Sequence, residues 1–224
     1  MGRRQERICS NKVRRIRDLL AKGVDLAAFL AEDTSELLLK GSTPRATKLQ
    51  RMLDECPEGR GAKYEEATLA TLKVCLAGIV DTVRARQHVP IKSGFCDIEL
   101  PFRQERLCIH PYWSPWHSKY DIRSILTEVK NERKPVGPYA IRQIRMYLED
   151  ANRGRFGMII SRNGFTKNAM VAACDCATSR RDGDILILPL CHDDLKELVR
   201  RSDQGLCSVT DFLCEKERDL LQIA

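Results

Sequence analysis

From Ala62 onward, short strand-like runs alternate with helix-like segments, and this alternation limits the possible folds more than any other feature. "GFCDIELPF" (94–102) has a period of two, with Cys96, Ile98 and Leu100 on one face and Phe95, Asp97 and Glu99 on the other. "SILTEVKN" (124–131), "RFGMIISRNG" (155–164) and "GDILILPL" (183–190) also read as strands. Amphipathic segments separate and follow them: "PYAIRQIRMYLEDANR", "TKNAMVAACDCATS", "CHDDLKELVRRSDQG" and "VTDFLCEKERDLLQI". Upstream, "KYEEATLATLKVCLAGIVDTVRAR" (63–86) reads as one long helix. Strands that alternate with helices bury their apolar faces as layers, so the expected class is α/β, a mixed central sheet flanked by helices.

No strand pattern precedes Val89, and the first 60 residues read as helices that end at a break, "CPEGRG". The expected organisation is therefore an N-terminal helical extension over 1–60 and an α/β domain over 61–224. On that division a fragment starting near Gly59 folds by itself. The extension has three candidate uses: binding DNA, forming a homodimer, or docking a partner protein. Nothing in its pattern selects one.

No apolar run reaches the roughly 18–20 residues of a membrane span. The basic N-terminus is followed by no apolar signal core, so a cytoplasmic protein without a membrane partner is expected. Ten cysteines at irregular spacing, with no CxxC pair, read as reduced and partly buried thiols. Cys174, Cys176, Cys191 and His192, or Cys108, His110 and His117, lack the spacing of a zinc site. No glycine-rich phosphate loop or dinucleotide fingerprint occurs, so no nucleotide cofactor is expected.

The net charge is +7, and it is clustered. The first 17 residues carry seven Lys/Arg against one acid, Glu6, and residues 130–167 carry nine against three. Such clusters fit either solvated surface or a polyanion partner. In the second reading Arg133, Lys134, Arg142, Arg145, Arg162 and Lys167 contact a nucleic-acid backbone. The stretch 103–120 holds both tryptophans, Trp113 and Trp116, with two histidines. It reads either as a stacking platform for nucleic acid or as a loop that packs its own aromatics.

Period two places Asp97 and Glu99 on one strand face, and Glu128 and Lys130 on one face of another. If these faces agree, carboxylates and an ammonium converge. Crowded carboxylates repel, and Mg²⁺ resolves the conflict because it takes one or two carboxylates plus waters and phosphate oxygens. Such a metal can lower the pKa of a bound water and neutralise charge on a phosphate. Other acid-x-lysine pairs exist, at Glu132–Lys134 and Asp194–Lys196, but only Glu128 and Lys130 end an apolar strand.

Gly94, Asp97, Glu128, Lys130, Gln143 and Tyr147, in this order and on these elements, resemble the PD-(D/E)xK nuclease superfamily with its Gln-x-x-x-Tyr element. The resemblance spans roughly residues 62–205 and implies a restriction endonuclease-like core. The literal Pro-Asp is missing, and the gap from Asp97 to Glu128 is long. It implies a Mg²⁺-dependent endonuclease acting on DNA, with Mn²⁺ able to substitute. Asp97 and Glu128 would hold the metal, with the Val129 carbonyl as a further ligand. Lys130 would position or activate the attacking water, and Gln143 would lie near Lys130 or the phosphate. A helix acid is a further expected member, either Glu65 or Glu66, with Glu66 preferred. The alternatives are an inactive binding module of the same fold, or a nuclease for RNA or branched DNA.

Overall fold

The computed structural model describes residues 45–92, 94–108, 110–150, 154–179 and 184–223. The helical expectation for residues 1–44 lies outside them. Eight helices and five strands follow in order: α1 (Arg45–Asp54), α2 (Gly61–Cys75), β1 (Arg86–Ile91), β2 (Gly94–Pro101), α3 (Gln104–Leu107), α4 (Trp113–Tyr120), β3 (Ser124–Lys130), α5 (Pro138–Asp150), β4 (Phe156–Ser161), α6 (Lys167–Ala177), β5 (Leu186–Cys191), α7 (His192–Ser202) and α8 (Leu206–Leu221).

The five strands form one sheet in the order β1-β2-β3-β4-β5. β1–β2 and β2–β3 are antiparallel, while β3–β4 and β4–β5 are parallel. The expected mixed α/β sheet is what the chain builds. β3 and β4 are buried along almost their whole length, which explains their unbroken apolar runs. Pro90 and Pro189 sit in the edge strands β1 and β5, and Pro101 is the last residue of β2. The crossover helices α5 and α6 pack on each other. Gly157 lets α5 approach closely, since a Cβ there would meet Ile144 and Leu148 at 3.1 Å.

Two expectations change, and one choice between alternatives is decided. The long helix ends at Cys75, and residues 76–85 form turns before β1 begins. Leu76, Ile79 and Val80 are buried there without helical spacing, because the chain must turn to bring β1 beside β2. For the stretch 103–120 the structure decides between the two readings, in favour of a segment that packs its own tryptophans. Trp113 is fully buried, edge-on to Trp116 and Phe156 at 5.1 and 5.9 Å. Its indole donates to Thr210 at 3.0 Å, and Trp116 and Tyr120 donate to Glu217 at 2.7 and 2.6 Å. These bonds tie α4 to α8 and give each buried polar aromatic the partner it needs.

The second change concerns the boundary near residue 60, which cuts through packed structure. Leu49, Leu53 and Cys56 belong to the same core as the sheet, and α1 packs on α2 and α7. "CPEGRG" is also tied down, because Asn131 donates to the carbonyls of Pro57 and Arg60 at 2.9 and 3.1 Å. A fragment starting at Gly59 is therefore expected to aggregate or to melt well below the full chain. In the full chain Leu53→Ala should cost about 2–5 kcal/mol. Circular dichroism melts check both, and unchanged melting would show that α1 is dispensable.

Candidate active site

The site forms where β2 and β3 part. Their pairing runs from Pro101↔Ser124 to Ile98↔Thr127 and then stops. One residue further, Asp97 Oδ2 accepts the Val129 N–H at 2.8 Å, so a side chain replaces the strand's own acceptor. The N–H and C=O of one strand residue point to the same side, so the Val129 carbonyl faces this gap. Glu128 and Lys130 share the other parity, and Lys130 Nζ donates to Glu128 Oε1 at 2.7 Å.

The third carboxylate comes from α2. The preferred Glu66 is exposed, whereas the Glu65 side chain is only 13% exposed and faces the site. The helix explains this: Tyr64, Ala67, Thr68, Thr71, Leu72 and Cys75 form its buried stripe. Glu65 lies roughly a quarter-turn from the centre of that stripe and Glu66 on the far side. Glu99 shares a face with Asp97 but does not join. Arg86 donates to its Oε2 through Nε and Nη2, at 3.0 and 2.9 Å.

His88, which no motif indicates, stands beside Glu65, with Nε2 3.8 Å from Glu65 Oε2. It adopts the left-handed φ of 50° and drops out of the β1–β2 register. The sequence hid it because the expected helix ran up to Arg86.

Burial pushes the Glu128 carboxyl above its ordinary value, and the charge of Asp97 adds to this. Burial and Asp97 likewise raise Glu65. Burial raises Asp97 despite the opposing Val129 N–H. For Lys130, burial opposes the ammonium, but the bond and charge of Glu128 outweigh it and hold its pKa above normal. Lys130 is therefore a fixed cation near neutral pH. The Oε2 atoms of Glu65 and Glu128 are buried and accept no hydrogen bond. Orphaned carboxylate oxygens that repel one another suit a small divalent cation. Among the described residues no group of three or more His, Cys, Asp or Glu is arranged so that it could hold a metal ion by itself. Mg²⁺ does not require one, since waters and phosphate oxygens complete its shell.

On α5, the Gln143 amide donates one N–H to the Tyr147 hydroxyl. Tyr147 is buried, and its hydroxyl lies 3.8 Å from where a Gly94 Cβ would stand. Gly94 holds φ +143°, a conformation that favours glycine.

The basic candidates divide. Arg133, Lys134, Arg142 and Lys167 are exposed. Arg145 donates to Glu149 at 2.8 Å. Arg162 turns inward, 5.4 Å from the Tyr64 ring centroid. Glu132 and Lys134 are exposed and stand outside the site. Cys174 and Cys176 are buried thiols, and His192 opens α7 with Nδ1 3.2 Å from the Tyr64 hydroxyl. No described helix is long and apolar enough to cross a membrane.

The fold and site define an α/β chain with a carboxylate–lysine cluster at a parting of its sheet. No known family profile matches the sequence, and no curated protein matches it. Among solved structures it is similar to the DNA modification-dependent restriction endonuclease AspBHI, with TM-score 0.42 and 15% identity. That match covers 80% of this chain and 41% of the other, so this chain spans less than half of that enzyme's length. A likeness so distant says nothing about chemistry.

Proposed function

We propose that the chain is a metal-dependent phosphodiesterase acting on DNA, of the PD-(D/E)xK type that its motifs resemble. One observation carries this reading: Glu65, Asp97 and Glu128 stand close enough to repel one another beside the Lys130 ammonium, and the buried Oε2 atoms of Glu65 and Glu128 accept no hydrogen bond. Asp97, Glu128 and Glu65 would hold Mg²⁺ or Mn²⁺, with the Val129 carbonyl in reach of the same gap. Bound there, the ion would lower the pKa of a water and neutralise charge on the phosphate. Lys130, fixed as a cation by Glu128, would orient that water or balance charge building on the phosphoryl oxygens. Tyr147 and Gln143 would form the wall of the cleft.

Incubating the purified chain with plasmid and linear DNA, with Mg²⁺, Mn²⁺ or EDTA, tests the proposal. Cleavage with either metal and none in EDTA is expected, and no cleavage with any metal would refute it.

Arg133, Lys134, Arg142 and Lys167 supply the exposed cations for the backbone. With four phosphate contacts, raising salt from about 50 to about 200 mM should weaken DNA binding by about 100-fold. Replacing one of the four should lower the slope of log affinity against log salt by about one. A binding constant that is flat across this range would remove the basic face from the interface.

A further inference from the structure

The aromatic side chains that the structure leaves exposed are not the tryptophans. Among the described residues Phe95 is 65% exposed, Tyr139 73% and Tyr112 41%, and Phe95 and Tyr139 lie on the elements that carry the site. Phe95 is two residues from Asp97 on one strand face, a Cα separation of about 7 Å. Tyr139 precedes Gln143 and Tyr147 at spacings of four along one ridge of α5. Tyr147 closes that ridge against Gly94, next to Phe95. The two exposed rings thus stand on the hairpin and the helix that flank Glu128 and Lys130.

The hairpin carries two backbone irregularities here: His88, between the pairs Gln87↔Ile98 and Val89↔Cys96, has φ 50°, and Gly94 holds φ +143°. A non-glycine residue held in the left-handed region is strained, and such residues cluster at functional sites. Exposed Lys92 at the hairpin turn and exposed Arg142 on α5 give both walls a cation.

We propose that Phe95, with Tyr139 opposite, is a stacking platform for unpaired bases next to the scissile phosphate. The preferred substrate is then single-stranded or locally unpaired nucleic acid. This deepens the phosphodiesterase reading and rests on it. Inside a duplex both faces of a base are covered by neighbours, so a ring beside the cleft gains contact only when the base is unstacked. Aromatic rings interleaved with cations suit a single strand, because every base has a π-face and every nucleotide a charge.

The test is binding of the full chain, in EDTA, to a labelled single-stranded oligonucleotide and to the same sequence as a blunt duplex. The wild type should prefer the single strand. Phe95→Ala should lose roughly 5- to 150-fold on the single strand and little on the duplex. Phe95→Trp should restore binding and show added fluorescence quenching with the single strand. Equal losses on both forms, or no loss in either Phe95→Ala or Tyr139→Ala, would overturn the proposal. So would sedimentation showing that Phe95→Ala turns a dimer into a monomer, since the ring would then belong to a contact between copies. If the wild type cleaves DNA but Phe95→Ala binds like it, only the stacking role fails. If the wild type neither binds nor cleaves, the phosphodiesterase reading fails with it.

Discussion

Asp97→Ala, Glu128→Ala and Lys130→Ala should each lower metal-dependent cleavage by at least about 100-fold, the usual cost of removing one electrostatic partner of a developing charge. The conservative variants sharpen the result. Asp97→Asn keeps an oxygen acceptor for the Val129 N–H, so the parting of β2 and β3 should survive while the charge is lost. Glu128→Gln keeps an acceptor for Lys130. If both fold like the wild type and both are inactive, the loss is chemical rather than structural. Glu132→Ala should change activity little, because its side chain is exposed outside the site, and Lys134→Ala should weaken DNA binding but leave cleavage at saturating DNA far less affected than the three cluster variants. Cleavage that persists in excess EDTA, or undiminished in the Lys130 variant, would remove the cluster from the chemistry.

The second expected effect is on stability. Glu65, Asp97 and Glu128 all have folded-state pKa values above their ordinary ones, so the folded chain holds these protons more tightly than the unfolded chain. Above their raised values, where they are ionised, they therefore cost stability. The cost is relieved as pH falls through their raised values toward the ordinary 4.5 for Glu and 3.8 for Asp. Glu197, held down to about 2 by its bonds to Arg200 and Arg201, acts in the opposite direction, so a single melting curve mixes both trends. The difference between wild type and Glu65→Gln isolates the cluster. Glu65→Gln should melt higher than wild type at neutral pH without metal, and this advantage should shrink as pH falls. Saturating Mg²⁺ or Mn²⁺ should raise the wild-type melting point, by about 2.7 kcal/mol of stability at a hundredfold excess over Kd. The gain should be smaller in Glu65→Gln. Calorimetry in EDTA and in each metal reads all of this without any substrate. A wild-type melting point unmoved by either metal would show that no cation relieves the repulsion.

How much of this was legible in the chain differs from residue to residue. Glu128 and Lys130 were readable because they end a run whose apolar content leaves no doubt about a strand, and period two then fixes their common face. The parallel half of the sheet was readable for the same reason, since buried strands and amphipathic crossovers leave opposite periodicities. Glu65 against Glu66 was harder. Its helix interleaves Tyr64 and Leu72 with Ala67, Thr68, Thr71 and Cys75 in the buried stripe, so the stripe is faint in the sequence although its geometry is regular. His88 left no local signal, because what places it is a left-handed residue in the hairpin.

The sequence by itself determined the class of fold, the order of its layers and the strand that carries Glu128 and Lys130, because periodicity is a local property of the backbone. Only the tertiary structure decided what joins them. Asp97 replaces a ladder acceptor where β2 leaves β3, Glu65 enters from a helix that precedes both strands, and Arg86 removes Glu99 from the cluster. The tertiary structure also decided that Trp113 and Trp116 are buried while Phe95, Tyr112 and Tyr139 are exposed. Burial of a ring depends on what covers it, and α8, which bonds Trp113 through Thr210 and Trp116 through Glu217, lies about a hundred residues further along the chain. Contacts at such separation are set by packing of whole layers, and no short stretch of sequence carries them.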